Sequence, residues 1–305
     1  MSKSNESMSV AAKLLAEDPK LREDVRGTTL FDQFVNGPNK LKTVNIDDEL
    51  FYVVEGDTLL DEDQLAIYAA QREKADEAFM LSKRAGHAGL GTARLSAPQT
   101  SLIALTSNGR IVRWAPNTIL TYRVVQSTFT ASERYEKAID GMKQATQAWE
   151  ETCGVKFQHS EDLDTANGVG TAGAVFAVRE ITPLPGDRAP IASAFFPNDP
   201  PSRRKVLLFP DFFAADLGFD PIGVVRHELG HVLGFRHEHI RSGAPAACLG
   251  EPNFDTSNLT DYDPQSVMHY FCGGQGTREL RISGLDSIGA QQVYGPPLNA
   301  VEFVS

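Results

Sequence analysis

Eleven residues in the second half of the chain carry its densest chemistry. Positions 227–237 read His-Glu-Leu-Gly-His-Val-Leu-Gly-Phe-Arg-His. On a helix, residues four apart share a face about one turn apart, so His227 and His231 can offer two imidazole nitrogens to one ion. Glu228, beside the first of them, is placed to reach a water on that ion without ligating it. Gly234 can turn the chain sharply at no steric cost, and the turn lets His237 supply a third nitrogen from outside the helix. Three neutral imidazoles leave one coordination position open, which marks a catalytic rather than a structural zinc site. Such a match arises by chance on the order of once in 10⁵ sequences of this length and composition. Five of the seven histidines also fall between 227 and 269. A solvated helix with incidental histidines is therefore set aside.

The elements that must hold these residues are legible on either side. Asp220 followed by Pro221 is a helix start, and that helix runs into the histidines. Ile119–Val125 alternates as a strand should. Thr130 and Glu133 have capping-box spacing and open a helix to about Thr152, whose buried face carries Tyr135, Ile139, Met142, Ala145 and Trp149. Further strands are expected at Val155–Gln158, Ala174–Arg179, Ile191–Phe196 and Lys205–Phe209. A last helix starts at Ser283, with Asp286 completing a second box, and runs to Tyr294. The order implies an α+β unit of roughly 190 residues, with the chemistry where its sheet half meets an irregular half.

Downstream, Ser266-Val267-Met268-His269-Tyr270 follows the histidine motif at a distance. Together the two motifs resemble the metzincin zinc peptidases, and the second has the form of the astacin family's methionine turn. Phe235, two before the third histidine, Glu238, directly after it, and Arg113-Trp114-Ala115-Pro116-Asn117 fit the same family. The resemblance covers about residues 113–296. It implies a catalytic domain with a twisted mixed sheet and active-site helix above an irregular C-terminal subdomain. It also implies one Zn²⁺ per chain on His227, His231 and His237, and hydrolysis of internal peptide bonds with Glu228 as general base. Met268 would be an apolar floor under the ligands, and Tyr270 a residue near the zinc that steadies the oxyanion. An ordinary buried tyrosine is the plainer alternative. His269 stays outside the ligand set. Glu238 would meet a new N-terminus after activation, or serve as a plain structural carboxylate.

Cysteines depart from the family pattern. Cys153 has no partner near the C-terminus, so the usual bridge is replaced by an expected Cys248–Cys272 pair; three reduced thiols are the competing reading.

The first hundred residues differ in texture. A polar stretch to about residue 30, helical in pieces or loosely ordered, precedes a strand at Glu49–Val54, a Gly56–Asp57 turn and a charged helix from Asp61 to Lys83. Gly86 to Thr100 has linker composition. Residues 1–110 are expected to be a pro-like segment and linker, and 111–305 the catalytic domain. Astacin leaders close the zinc site with an aspartate in F-x-G-D; Val54-Glu55-Gly56-Asp57 lacks only the aromatic. Asp57 is then either the latch or part of a simple turn.

With 41% hydrophobic and 23% charged residues the composition is globular, and a net charge of −11 argues against nucleic acid and anionic membranes as partners. Protein or peptide substrates and a monomeric chain are expected. The resemblance implies secretion, yet Met1 to Lys20 lacks a secretory signal pattern, so cytoplasmic residence and non-classical export stay open. Two other functions compete: a zinc-binding scaffold without turnover, which the presence of Glu228 disfavours, and a zinc hydrolase of a non-peptide bond.

Overall fold

The structure is a computed structural model that describes residues 10–86, 102–240, 248 and 256–298. It is α+β throughout. The leading part places three short helices, α1 (Val10–Glu17), α2 (Pro19–Arg26) and α3 (Thr29–Asn36), against the long α4 (Glu62–Gly86). Between them lies an antiparallel three-stranded sheet of β1 (Lys42–Ile46), β2 (Glu49–Val54) and β3 (Thr58–Leu60). Leu15, Val25, Phe31, Tyr52, Val54, Leu65, Ala66 and Ala69 form a core of their own here. Residues 10–36 are thus helical in pieces, one of the two forms expected of that polar stretch.

Next come β4 (Ile103–Ser107) and β5 (Arg110–Ile111), in the stretch where the sequence reading ends the linker. β4 pairs with β5, and antiparallel with two later strands, β11 (Phe235–Arg236) and β12 (Thr256–Asn258). The main sheet combines β6 (Ile119–Val124), β7 (Lys156–His159), β8 (Phe176–Glu180), β9 (Ala192–Ser193) and β10 (Lys205–Leu208) in the order β7-β6-β8-β10-β9. Four strands run parallel and the edge strand β9 runs antiparallel to β10. Of the expected Ile191–Phe196 strand only two residues pair, because Pro190 and Pro197 flank it and proline cannot donate to a ladder.

Helices α5 (Ser132–Glu150), α6 (Pro221–Val232) and α7 (Gly284–Tyr294) complete the unit. α5 packs along α6, and Met142, Ala145 and Trp149 meet Val225, Leu229 and Met268 in the largest core. The Thr130 capping box does not form. The helix is N-capped by Ala131 without a side-chain bond, since Thr130 turns its amide (2.8 Å) and its hydroxyl (3.0 Å) to the buried Glu180 carboxylate instead. Ser283 and Asp286 do form their box on α7. Among the described residues no helix is long and apolar enough to cross a membrane.

Candidate functional site

α6 begins as its sequence demands. Asp220 accepts from Ile222 N (3.2 Å) and Gly223 N (3.1 Å), and Pro221 occupies the first turn, where its missing N–H costs nothing. At the other end two carbonyls outside the helical ladder find side-chain donors: Trp114 Nε1–H binds Val232 O (2.8 Å) and Tyr294 O–H binds Leu233 O (2.6 Å). Gly234 then takes φ +90°, and a Cβ there would stand 2.5 Å from Val112 O. Only glycine makes this turn, and the chain leaves it as β11, held by β4, to deliver His237.

The three imidazoles meet. His231 Nε2 and His237 Nε2 lie 3.2 Å apart. His227 Nδ1–H donates to Val267 O (2.7 Å) and His231 Nδ1–H donates to Phe235 O (2.8 Å). Both backbone acceptors force the proton onto Nδ1 and leave the Nε2 lone pairs facing inward. Burial pushes the His231 pKa down to about 4, so the ring is neutral, the form that ligates. Zinc–nitrogen bonds of 2.0–2.1 Å in a tetrahedron put neighbouring ligand atoms roughly 3.3 Å apart, so the donor set and its spacing fit Zn²⁺.

A fourth atom able to ligate comes from far away in sequence. Asp57 Oδ2 lies 3.2 Å from His227 Nε2, 3.2 Å from His237 Nε2 and 3.7 Å from His231 Nε2, and all four donor atoms fall within 4.8 Å of one another. Burial alone would raise the Asp57 pKa, but His237 and the other imidazoles around it outweigh that and hold the carboxyl well below the usual range. Glu228 goes the other way. Burial, and then the Asp57 charge, push it well above the ordinary carboxylate value. Its Oε2 meets no hydrogen-bond donor among the described residues.

Tyr270 closes the group. Its ring lies 4.5 Å from that of His237, and its hydroxyl donates to Asp57 Oδ2 while standing 3.0 Å from Glu55 O. Gly56 has φ +91°, and a Cβ on it would sit 2.8 Å from Tyr270 Cε2 and 2.9 Å from its hydroxyl oxygen. The leading segment therefore enters the site as a turn with no side chain at its tightest point.

Met268 is fully buried in the main core, and its carbonyl accepts from Glu238 N (2.9 Å). Glu238 is itself buried and accepts from Asp263 N (3.0 Å). His269 stands apart from the ligand atoms, donating through Nδ1 to Tyr270 O (2.6 Å) and accepting from the Tyr262 hydroxyl (2.8 Å). Cys248 and Cys272 are bridged, and Cys153 is a buried free thiol. A cavity of about 400 Å³ opens beside Asp57, His227 and Glu228, walled by Ile191, Ala192, Phe219, Val224 and Leu280.

Three contributors escaped the motif reading. Arg236 pairs with Glu55 in a buried contact. His239 stacks on Tyr270 at 4.5 Å. Asp286, visible in sequence only as a cap, also accepts from Ser266 Oγ (2.6 Å) and Val267 N (2.8 Å) and so braces the turn that holds His227. A carboxylate with spare lone pairs at a helix start was the only signal for it.

Residues 113–271 match the sequence profile of the matrixins. The chain belongs to the matrixin family. This matrixin is also 41% identical to high choriolytic enzymes 1 and 2 of Oryzias latipes, over a stretch that covers 16% of the chain. The stretch spans 23% and 22% of those relatives' own lengths. The metzincin resemblance drawn from the two motifs is borne out.

Proposed function

We propose that the chain is a latent zinc-dependent endopeptidase. Residues 111–305 cut internal peptide bonds, and residues 1–110 hold the site closed. The convergence of three inward Nε2 atoms on the Asp57 carboxylate carries this reading, because one cluster contains both a zinc ligand set and the group that covers it.

His227, His231 and His237 would hold the ion. Zinc, when bound, supplies Lewis acidity at the scissile carbonyl and makes water a stronger acid. Glu228, buried and one residue from His227, takes a proton from the attacking water and passes it to the departing amine. A raised pKa suits a group that must hold that proton between two steps. The Tyr270 hydroxyl, which donates to Asp57 in the closed form, is free to donate to the developing oxyanion once Asp57 withdraws. An extended peptide adds antiparallel to the outer edge of β9, the last strand of the main sheet and next to the cavity, so recognition runs through main-chain hydrogen bonds. Asp57 acts as the latch: a carboxylate is a competent zinc ligand and occupies the place that water needs.

The test is casein cleavage by the full chain, its Asp57→Ala variant and Asp57→Ala with chelator. Asp57→Ala is expected to raise the basal rate and chelator to abolish it. An unchanged rate in Asp57→Ala counts against the latch. Chelator-resistant cleavage counts against the metal.

A further inference from the structure

Among the described residues, the part of the leading segment before residue 87 touches the rest of the chain in at least two separate places. Residues 55–57 reach the histidines, while residues 43–53 and 61 lie on the outer face of the main sheet. Along β8 and β10, Phe176, Val178, Val206 and Leu208 turn into the main core beneath α5 and α6. Their neighbours point the opposite way, as strand geometry requires. Ile181, Leu207 and Phe209 there form a cluster with Val44, Ile46 and Val53 of the β1–β2 hairpin.

Charges ring this apolar contact. Asp47 takes both Arg179 guanidinium nitrogens, at 2.7 and 2.8 Å, and Lys205 at 3.2 Å. Arg203 reaches Asp61 at 2.5 Å and Glu49 at 3.1 Å, and lies over the Phe51 ring at 5.0 Å. Asp187 accepts from Asn45 N (2.9 Å), and Arg188 N donates to Thr43 O (3.1 Å). Every one of these contacts joins the leading segment to the catalytic part, and each ion pair has its acid on the leader.

Two observations make this a recognition surface rather than a by-product of the latch. With the leader in place the side chains of Arg179 and Arg203 are only 6% and 14% exposed, so any surface that withdraws these guanidiniums from water must bring a counter-charge. The leader supplies it, together with the apolar plug between. The leader also has its own core from α1 to α4, so the hairpin is presented on a body with internal packing.

We propose that the outer sheet face is a docking site for an acid-rimmed β-hairpin, and that through it the leader stays bound after the chain is cut between residues 86 and 102. Scission alone then leaves the site closed, and activation also requires that the severed leader be displaced or destroyed. The inference rests on the leader reading proposed above, with the residues before the cut as the part released. Cutting turns an intramolecular contact into a bimolecular one, so the second site decides whether the leader departs.

The experiment uses the full chain with a site-specific protease sequence substituted within residues 87–101, cut to completion and run on size exclusion at micromolar concentration. The severed leader is expected to co-elute with the catalytic part, with Asp57 intact and equally in Asp57→Ala. Asp47→Lys with Asp61→Lys is expected to release it, with affinity weakened roughly 30-fold or more, as for other desolvated ion pairs. Asp61→Arg combined with Arg203→Asp is expected to restore retention lost in Asp61→Arg alone, which separates lost pairing from misfolding. Separation of the cut wild-type chain overturns the proposal. So does retention that survives the charge reversals, or release caused by Asp57→Ala alone. Elution requires no turnover, so a negative result here leaves the endopeptidase reading standing, and an inactive chain can still show docking.

Discussion

Gly56→Ala probes the latch without touching any charge. Its added Cβ would meet Tyr270 Cε2 at 2.8 Å and the hydroxyl oxygen at 2.9 Å, well inside ordinary carbon contact, at a φ of +91°. Strained backbone at such a φ costs a non-glycine residue about 1–3 kcal/mol, and forcing a packed ring aside costs about 1–3 kcal/mol more. A sum near 2–6 kcal/mol acts on the closed form alone, because the released turn can relax. At a factor of ten per 1.4 kcal/mol, the open fraction rises roughly 30- to 20,000-fold until the chain is fully open. Basal cleavage of a quenched fluorescent peptide by the full-length, zinc-loaded chain reads this directly. Gly109→Ala is the control: its φ is +72°, yet nothing lies within 4 Å of the added Cβ. The reasoning fails if Gly56→Ala leaves the basal rate unchanged while the protein melts normally. It fails equally if Gly109→Ala raises the rate as much.

Glu228→Gln keeps shape and ligands but removes the base, so activated turnover should fall about 10²- to 10⁴-fold while zinc content by metal analysis stays the same. A variant that retains full rate would return the site to a carboxylate-independent reaction. Asp286→Ala strands two buried donors, Ser266 Oγ and Val267 N, and the part-buried Ser283 N. At about 1 kcal/mol or more each the loss is near 3 kcal/mol, and Tm should drop roughly 6–12 °C by calorimetry. The Arg179 guanidinium holds the Asp47 pKa down to about 2, with Lys205 assisting. A depressed carboxylate helps docking fully above its free value of 3.8 and loses that help as pH falls toward 2, so Asp47's share of leader retention should be flat from pH 7 to 5 and fade below 4. Elution of the cut chain across that range checks it, and loss already at pH 6 would assign the contact to other groups.

The local codes were readable because each rests on neighbours in the chain. Helical spacing alone brings His227 and His231 to one face, Gly234 alone permits the sharp exit to His237, and Asp220-Pro221 and Ser283-x-x-Asp286 satisfy donors within three residues. Thr130 shows the limit of such codes. It has the right spacing for a box, but Glu180, 50 residues away, offers a buried carboxylate that wins its amide and hydroxyl. Ile191–Phe196 shows another: apolar content suits a strand, while a ladder needs a partner and free N–H groups along its length.

What no stretch of sequence encodes is which distant residue fills a gap. Gly-Asp at 56–57 is an ordinary turn until folding sets it 170 residues from His227 and 3.2 Å from its nitrogen. Asp47 is an ordinary surface acid until β8 presents Arg179 to it. Side-chain period and backbone sterics act over a few residues and are written locally. Counter-charges for buried groups are chosen by whichever surface the fold brings into contact, so only the tertiary structure could name Asp47 and Asp61, and only it sets Asp57, which the sequence offered as a latch or a simple turn, among the imidazoles.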